Sequence, residues 1–209
     1  PAGITEVKVE ITGIAGYFDY PDQQDGYNGY GNGVGFGSAD GNGFGGGAYA
    51  ERIVPVTPSN TYALTYSPNS FFGDNNIGVL AASAAGRIGG KASDSIGDIK
   101  YNGGDGGLAP SGFIYGQGHS AGGGGGAASV NGDGINGQSP SSINSNNSSA
   151  GGNIYAGSGA NYNNGTLIPA SFGILGNGGG GGNDIAMNGY AEESPAQIRL
   201  TWMQGTVIP

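Results

Sequence analysis

Apolar and polar residues alternate along several short stretches of the chain, and this alternation predicts β-strands. In residues 4–14 every second position is apolar through the middle of the stretch. Side chains of an extended strand point to opposite faces in turn, so Val7, Val9 and Ile11 share one face and the charged residues between them share the other. The pattern predicts a half-buried strand that opens the chain.

Residues 49–66 carry the strongest local signal. A stretch rich in β-branched residues leads into Thr57-Pro58-Ser59-Asn60, and a second stretch follows in which apolar residues again occur at period two. Two strands around a turn of this composition predict a β-hairpin. Pro55 cannot donate a hydrogen bond, so we expect the first strand at a sheet edge or a bulge.

Shorter apolar runs follow the predicted hairpin, and no window has helical periodicity. The runs at 77–80 and 96–101 and the alternating stretch at 196–202 read as further strands. The length fits one domain, so residues 1–209 are expected to form a single glycine-rich β domain. The sequence therefore predicts an all-β fold with essentially no α-helix, in which β-hairpins flank the glycine tracts.

Glycine fills the spaces between the predicted strands and changes this picture. The chain has 49 glycines among its 209 residues, concentrated at 29–47, 103–107, 122–126 and 178–182. Glycine loses more backbone freedom on ordering than any other residue. Disorder is not favoured, because charged and aromatic residues each make up 10% of the chain and disordered chains carry more charge and fewer aromatics. Collagen is excluded, since glycine does not fall at every third position.

Two ordered structures can use a missing side chain. In a polyglycine-II bundle, helices of three residues per turn pack side by side and satisfy each other's backbone groups. In a silk-like β-stack, glycine alternates with other residues, as it does at 29–37. The five-glycine runs have no side chains to stack and favour the bundle. We therefore expect packed polyglycine-II helices flanked by β-hairpins.

Charge and cysteine content exclude several classes of function. The net charge is −9 and the isoelectric point is near 4.1, so duplex nucleic acid would be repelled. There is no cysteine for disulfides or thiolate metal sites. No apolar run approaches the length of a membrane span and no signal peptide is visible, which predicts no membrane insertion. The chain begins with Pro1, so we expect it to be processed, trimmed or a fragment.

The order of segments resembles a known family. An opening strand ends in Thr-Gly-Ile-Ala-Gly at 12–16, Gly-Gly-Gly-Ala-Tyr-Ala-Glu at 45–51 leads into a second strand, and 97–107 precede the long glycine tract. This resembles the glycine-rich domain of bacteriophage tail fibres and tail-tip adhesins, and is similar to that of some animal receptor kinases. The chain departs from the family pattern at 17–19 and at the alanine-rich 81–85, which puts the size of the bundle in doubt.

The resemblance implies a polyglycine-II core in a virion attachment protein, with binding loops at the ends of the bundle. The expected location is the virion surface or extracellular space, and the expected partners are a host cell-surface receptor, protein or glycan, and other virion or filament subunits. The alternative is a purely structural subunit, such as a capsid decoration protein or a filament building block. Similar glycine helices build some antifreeze proteins, a further alternative that thermal hysteresis would test.

Three motifs point to chemistry, and each has a simpler reading. Residues 118–122 match the nucleophile elbow of serine hydrolases, but His119 is the only histidine and lies beside Ser120 within the motif, so no separate base is available. Residues 41–46 match G-x-G-x-x-G but no helix is predicted after them. Residues 131–136 could offer oxygen ligands to Ca²⁺, although turn formation explains them better. We therefore expect no enzyme activity, no catalytic residue, no metal site and no cofactor.

Recognition is expected from loops, because a glycine bundle offers almost no side chains. The candidate distal loops are 17–30, which is rich in aromatic residues and aspartate, and 138–153, which is nearly all Ser, Asn and Gly. Tyrosine presents a large rigid face and a hydroxyl at low entropic cost. The predicted receptor-binding residues are Tyr17, Phe18, Tyr20, Tyr27 and Tyr30.

Overall fold

The computed structural model describes residues 3–16, 42–66, 69–73, 77–108, 122–141, 152, 161–163, 166–168 and 196–202. The strands are β1 (Glu6–Thr12), β2 (Tyr49–Pro55), β3 (Ala63–Thr65), β4 (Ser70–Gly73), β5 (Gly78–Ala81), β6 (Ile99–Tyr101), β7 (Asn161–Asn163), β8 (Thr166–Ile168) and β9 (Gln197–Thr201). Within these ranges the helical content is one 3-10 turn, Ala92–Asp94. The prediction of an all-β chain with essentially no helix is confirmed.

The opening and closing strands lie side by side in an antiparallel sheet of four strands, in the order β6-β2-β1-β9. The predicted alternation of β1 is confirmed, because Val7, Val9 and Ile11 are buried and the intervening residues are more exposed. The strand predicted at 196–202 is also confirmed and pairs with β1. The first and last described strands are therefore neighbours in space.

A second antiparallel sheet, in the order β3-β4-β5, packs on the first. Its buried residues Phe72 and Val79 join Val9, Ile11 and Val54 of the first sheet in one apolar core. Burying a large apolar side chain stabilises the folded state by about 1.5–3 kcal/mol. The core between the two sheets is thus a conventional hydrophobic core of packed apolar side chains.

The predicted hairpin at 49–66 is wrong, although its turn forms. The N–H of Asn60 donates to the carbonyl of Thr57 at 3.1 Å, and Ser59 has φ +71°, as the third position of a type II turn requires. The turn carries the chain between sheets: β2 pairs with β1 and β6, whereas β3 pairs with β4. β2 buries Ala50 and Val54 in the core, whereas all three residues of β3 are exposed and β3 pairs only with β4. β2 is an inner strand, but β6 pairs only with Tyr49–Glu51, so Pro55 at the end of β2 has β1 on one side and no described strand on the other.

Two strand regions were not predicted. Phe71 and Phe72 lie on β4, and the buried Phe72 stacks on Tyr62 with ring centroids 5.8 Å apart. The strands β7 and β8 pair with each other, and an Asn-Gly pair stands at 164–165 between them in the sequence. Asn-Gly is a common hairpin signal.

Six glycine segments lie beside the sheets and hydrogen-bond to one another through their backbones. They are the first (13–16), second (42–48), third (82–90), fourth (102–108), fifth (122–128) and sixth (134–140) segments. Between the second and fourth segments, Gly43 N–H donates to the carbonyl of Gly107 and Gly46 N–H to that of Gly104, both at 2.9 Å. The same three-residue interval recurs between most neighbouring segments.

The fourth segment sends successive N–H groups to three neighbours in rotation. The acceptors are the third segment for Gly103 and Gly106, the fifth segment for Gly104 and Gly107, and the side chain of Asn136 for Asp105. The glycines of this segment are buried, and a Cβ on any of them would come within 3.0 Å of a neighbouring backbone atom. The segments can therefore approach this closely only because their side chains are missing.

Candidate functional site

One end of the glycine segments is fixed by the sheets. β1 runs into the first segment, the second segment runs into β2, β5 runs into the third, and β6 runs into the fourth. In each case the last residue of one element is followed directly by the first residue of the next. These four segments therefore begin or end at the sheets. The other ends of the first, second and fourth segments point away from the sheets. The third segment turns between Ala85 and Ile88 and returns, so Gly90 lies beside Ala82 and Ala48.

The opposite ends meet, and we call this region the distal end; it comprises Gly16, Gly43, Gly107, Gly122 and Ser139. Gly43 N–H donates to the carbonyl of Gly107 at 2.9 Å. A Cβ on Gly122 would lie 3.1 Å from the nitrogen of Gly43. The hydroxyl of Ser139 accepts a hydrogen bond from the N–H of the residue after Gly107 at 2.8 Å. Gly16 donates to the second segment at 2.9 Å.

Two connections begin and end at the distal end. The described chain stops after Gly16 and resumes at 42, and stops after 108 and resumes at Gly122. All four points belong to the distal end or lie next to it. The candidate recognition segment 17–30 therefore follows Gly16 of the distal end directly in the chain.

The five predicted receptor-binding residues, Tyr17, Phe18, Tyr20, Tyr27 and Tyr30, lie outside the described residues. Of the second candidate loop, 138–153, the structure describes residues 138–141 and Gly152. Gln138 accepts a hydrogen bond from Gly123 N–H at 2.9 Å, and the N–H of Gly152 donates to the carbonyl of Gly124 at 2.8 Å. Its first residues and Gly152 are thus packed against glycine segments, because their backbone groups complete the hydrogen bonding of the fifth segment.

Side chains near the distal end include one basic group and two apolar groups. Arg87 Nη1 donates to the carbonyl of Gly106 at 3.3 Å, and within the described ranges no carboxylate lies within ion-pair distance of it. Ile88 is 47% exposed and Leu108 is 52% exposed. By contrast, Lys91 lies 3.4 Å from Asp105. The described side chains beside the distal end are therefore one guanidinium group and two partly exposed apolar groups.

A row of side-chain oxygens that the sequence analysis did not recognise holds the sixth segment to the fourth. Asp133 Oδ1 accepts from Asn102 N–H at 2.7 Å, Asn136 Oδ1 from Asp105 N–H at 2.8 Å, and Ser139 Oγ from Leu108 N–H at 2.8 Å. In each of these three bonds the donor and the acceptor residue are 31 positions apart in the sequence. The three acceptor residues follow one another at intervals of three residues. The signal that could have revealed it is this spacing of oxygen-bearing side chains.

The segment 131–136, which could offer oxygen ligands to Ca²⁺, uses two of its side-chain oxygens within the chain. Asp133 and Asn136 use a side-chain oxygen on a backbone N–H, and Ser129 and Gly132 exchange hydrogen bonds across a tight turn. No group of three or more potential metal ligands occurs in the described part of the chain. These oxygens therefore serve turn formation and packing. The G-x-G-x-x-G match at 41–46 likewise runs into Ala48 and β2, with no helix after it.

The outer face of the four-stranded sheet carries the main charged cluster. Glu10 and Glu51 lie directly opposite each other on β1 and β2. Lys8 Nζ lies 3.5 Å from Glu10 and 3.1 Å from Glu51. Tyr49 hydroxyl donates to Glu51 at 2.7 Å and to Glu10 at 3.1 Å. Like charges placed opposite each other repel, so the ammonium and the phenol compensate the pair.

Burial, together with hydrogen bonding to Glu51, raises the pKa of Tyr49 well above its ordinary value. The hydrogen bond to Glu51 likewise raises the pKa of Lys8, and the nearby carboxylates add to this effect. Tyr49 also stacks on Tyr101, with ring centroids 6.2 Å apart. The cluster therefore keeps its phenol neutral and its ammonium charged, and it acts as an internally satisfied structural network.

The nucleophile-elbow match at 118–122 lies outside the described residues except for Gly122.

A comparison of the chain with models of known protein families finds no match, and searches of curated proteins and of solved structures find none either. Among the described residues, no helix has the length and hydropathy needed to span a membrane.

Proposed function

We propose that this chain is a non-enzymatic virion protein, a phage fibre or tail-tip domain that presents receptor-binding loops on a rigid glycine scaffold. In this proposal the glycine segments pack as polyglycine-II helices flanked by the β-sheets. The loops bind a host cell-surface receptor, protein or glycan, at the virion surface. Function then lies in loops that a rigid scaffold positions.

The hydrogen-bond pattern of the fourth segment supports polyglycine-II packing. Such a helix has three residues per turn and makes no internal hydrogen bonds. Its N–H groups must therefore rotate among three neighbours, as they do from Gly103 to Gly107. The lack of space for a Cβ at these positions supports the same packing.

The observation that carries the attachment proposal is the convergence at the distal end. The connections 17–41 and 109–121 both start and finish there, on the side remote from the sheets. A fibre domain joined to a particle through its sheets would present these connections outward. The aromatic residues within 17–30 have the flat faces that suit sugars or an apolar receptor rim.

The test is to exchange residues 17–30 for a neutral linker of equal length and measure attachment to a panel of bacterial strains. We expect attachment to be lost while the melting temperature is unchanged. The matched control exchanges residues 109–118, which belong to the other connection from the distal end, and should retain attachment. If the first variant attaches normally, the structural-subunit function is favoured over attachment.

The second candidate function is a purely structural subunit of a virion or an extracellular filament. The sixth segment supports it, because an exposed and uncharged segment on the side of the bundle offers a surface for a neighbouring subunit. Residues 134–141 contain no ionisable side chain, although the whole chain has a net charge of −9. Another acidic copy can approach this segment with little electrostatic repulsion.

A further inference from the structure

The sixth segment uses fewer of its backbone donors than the segments inside the bundle. Gly134 and Gly137 donate to carbonyls of the fourth segment at 2.7 and 2.8 Å. Within the described residues, the N–H groups of Ile135 and Gln138 have no acceptor, and those of Asn136 and Ser139 have none either. Ile135 and Gln138 are three residues apart, so their N–H groups belong to one row on one side of the segment.

The side chains beside these donors face solvent. Ile135 is 67% exposed, and Gln138 is exposed as well. Their carbonyls, by contrast, accept hydrogen bonds from Gly126 and Gly123 of the fifth segment at 2.8 and 2.9 Å. The sixth segment is therefore anchored on its inner side and open on its outer side.

In the fourth segment the corresponding rows are all occupied. Each row there donates to the backbone or to a side-chain oxygen of a neighbouring segment at three-residue intervals. An unoccupied row on the sixth segment thus has the spacing that a further glycine segment would match. An exposed edge of regularly spaced backbone donors is a template for another chain.

We propose that the outer side of the sixth segment is an interface for a second copy of this chain, whose backbone oxygens accept hydrogen bonds from Ile135 and Gln138. This inference rests on the structural-subunit form of the proposed function. A second copy is the fitting occupant because the carbonyls of Asn136 and Ser139 on the same segment are three residues apart and accept no hydrogen bond within the described residues, so two copies can pair through this segment. The uncharged segment also avoids the repulsion that two acidic copies meet elsewhere.

The test compares the full-length chain with two variants at one position by sedimentation velocity over a wide concentration range. Gln138→Pro removes the N–H and fills its place, while the φ of proline suits an extended helix of this type. Gln138→Ala keeps the N–H. We expect the parent and Gln138→Ala to self-associate and Gln138→Pro to lose association, with all three melting at the same temperature.

Hydrogen exchange of the parent tests the same interface without a substitution. We expect the amides of Ile135 and Gln138 to become protected as the protein concentration rises. A parent that is monomeric at every concentration would overturn the proposal, and so would equal association of the proline and alanine variants. Protection independent of concentration would show that the chain covers this edge itself, which also contradicts the proposal. Attachment to cells is measured separately, so a failed interface leaves the attachment test unaffected.

Discussion

The two sheets and the glycine segments are held together by opposite means. Between the sheets, side chains such as Val9, Ile11 and Phe72 fill a shared apolar core. Among the glycine segments, backbone N–H and C=O groups bond directly between neighbours, and added side-chain atoms would not fit. The first region depends on what its side chains contribute, and the second depends on their absence. The same kind of substitution should therefore have different consequences in the two regions.

The largest expected effect comes from adding one methyl group inside the glycine segments. A Cβ at Gly125 would meet the carbonyl of Gly104 closer than 3.0 Å, so Gly125→Ala must separate the fourth and fifth segments. Each backbone group left buried without a partner costs about 1–3 kcal/mol. We expect thermal melting, followed by circular dichroism, to show a loss of stability comparable to that of Ile11→Ala.

Removing Ile11 from the sheet core serves as the comparison, because truncating a buried isoleucine costs about 2–5 kcal/mol. Ile135→Ala serves as the control, since this side chain is 67% exposed. If Gly125→Ala melts within a degree or two of the parent, the glycine segments are not closely packed and the contrast between the regions fails.

An intermediate effect is expected where one side chain takes part in the backbone network. Asn136→Ala removes the acceptor of Asp105 N–H, a bond of 2.8 Å, and should cost about 1–3 kcal/mol. That corresponds to a drop in melting temperature of about 2–4 °C per kcal/mol for a chain of this size. Gln138→Ala is the matched control, because this side chain is exposed. If both variants have the same melting temperature, the row of side-chain oxygens does not stabilise the fold.

The smallest effect concerns pH and the charged cluster on the sheet. The pKa of Tyr49 is raised above its ordinary value of 10.0, so the unfolded chain releases this proton first as the pH rises. The stabilising contribution is therefore complete below about pH 10 and is lost above it. The raised pKa of Lys8 acts in the same direction.

We expect Tyr49→Phe to melt at a lower temperature than the parent near neutral pH, because both carboxylates lose a hydrogen bond. Above pH 10 the melting temperature of the parent should fall more steeply than that of the variant. Parallel curves from neutral to alkaline pH would show that the phenol does not contribute to the pH dependence.

The sequence predicted the parts of the fold whose information is local. Alternation identified β1 and the closing strand, because a strand with one buried face must alternate. It failed on the hairpin at 49–66, since the turn at 57–60 is specified locally, whereas the pairing of β2 with β1 and of β3 with β4 is not contained in the local pattern. The four-residue strand β4 was missed because it is too short to alternate visibly. A glycine segment has no pattern of side chains, so the sequence could not predict which other segments pack beside it.

For the candidate site, sequence reasoning placed recognition in the connecting loops but could not determine where those loops attach. The common origin of the two connections at the distal end follows from hydrogen bonds such as that of Gly43 to Gly107, which join residues far apart in the chain. The row of Asp133, Asn136 and Ser139 was likewise read as loop and turn. Its three-residue spacing has meaning only beside the fourth segment.

The three-residue repeat of hydrogen bonds has a consequence for how such a chain can change in length. Inserting one residue into the fourth segment would turn every later N–H toward the wrong neighbour, whereas inserting three would restore the original directions. Length variation inside the segments should therefore occur in steps of three codons.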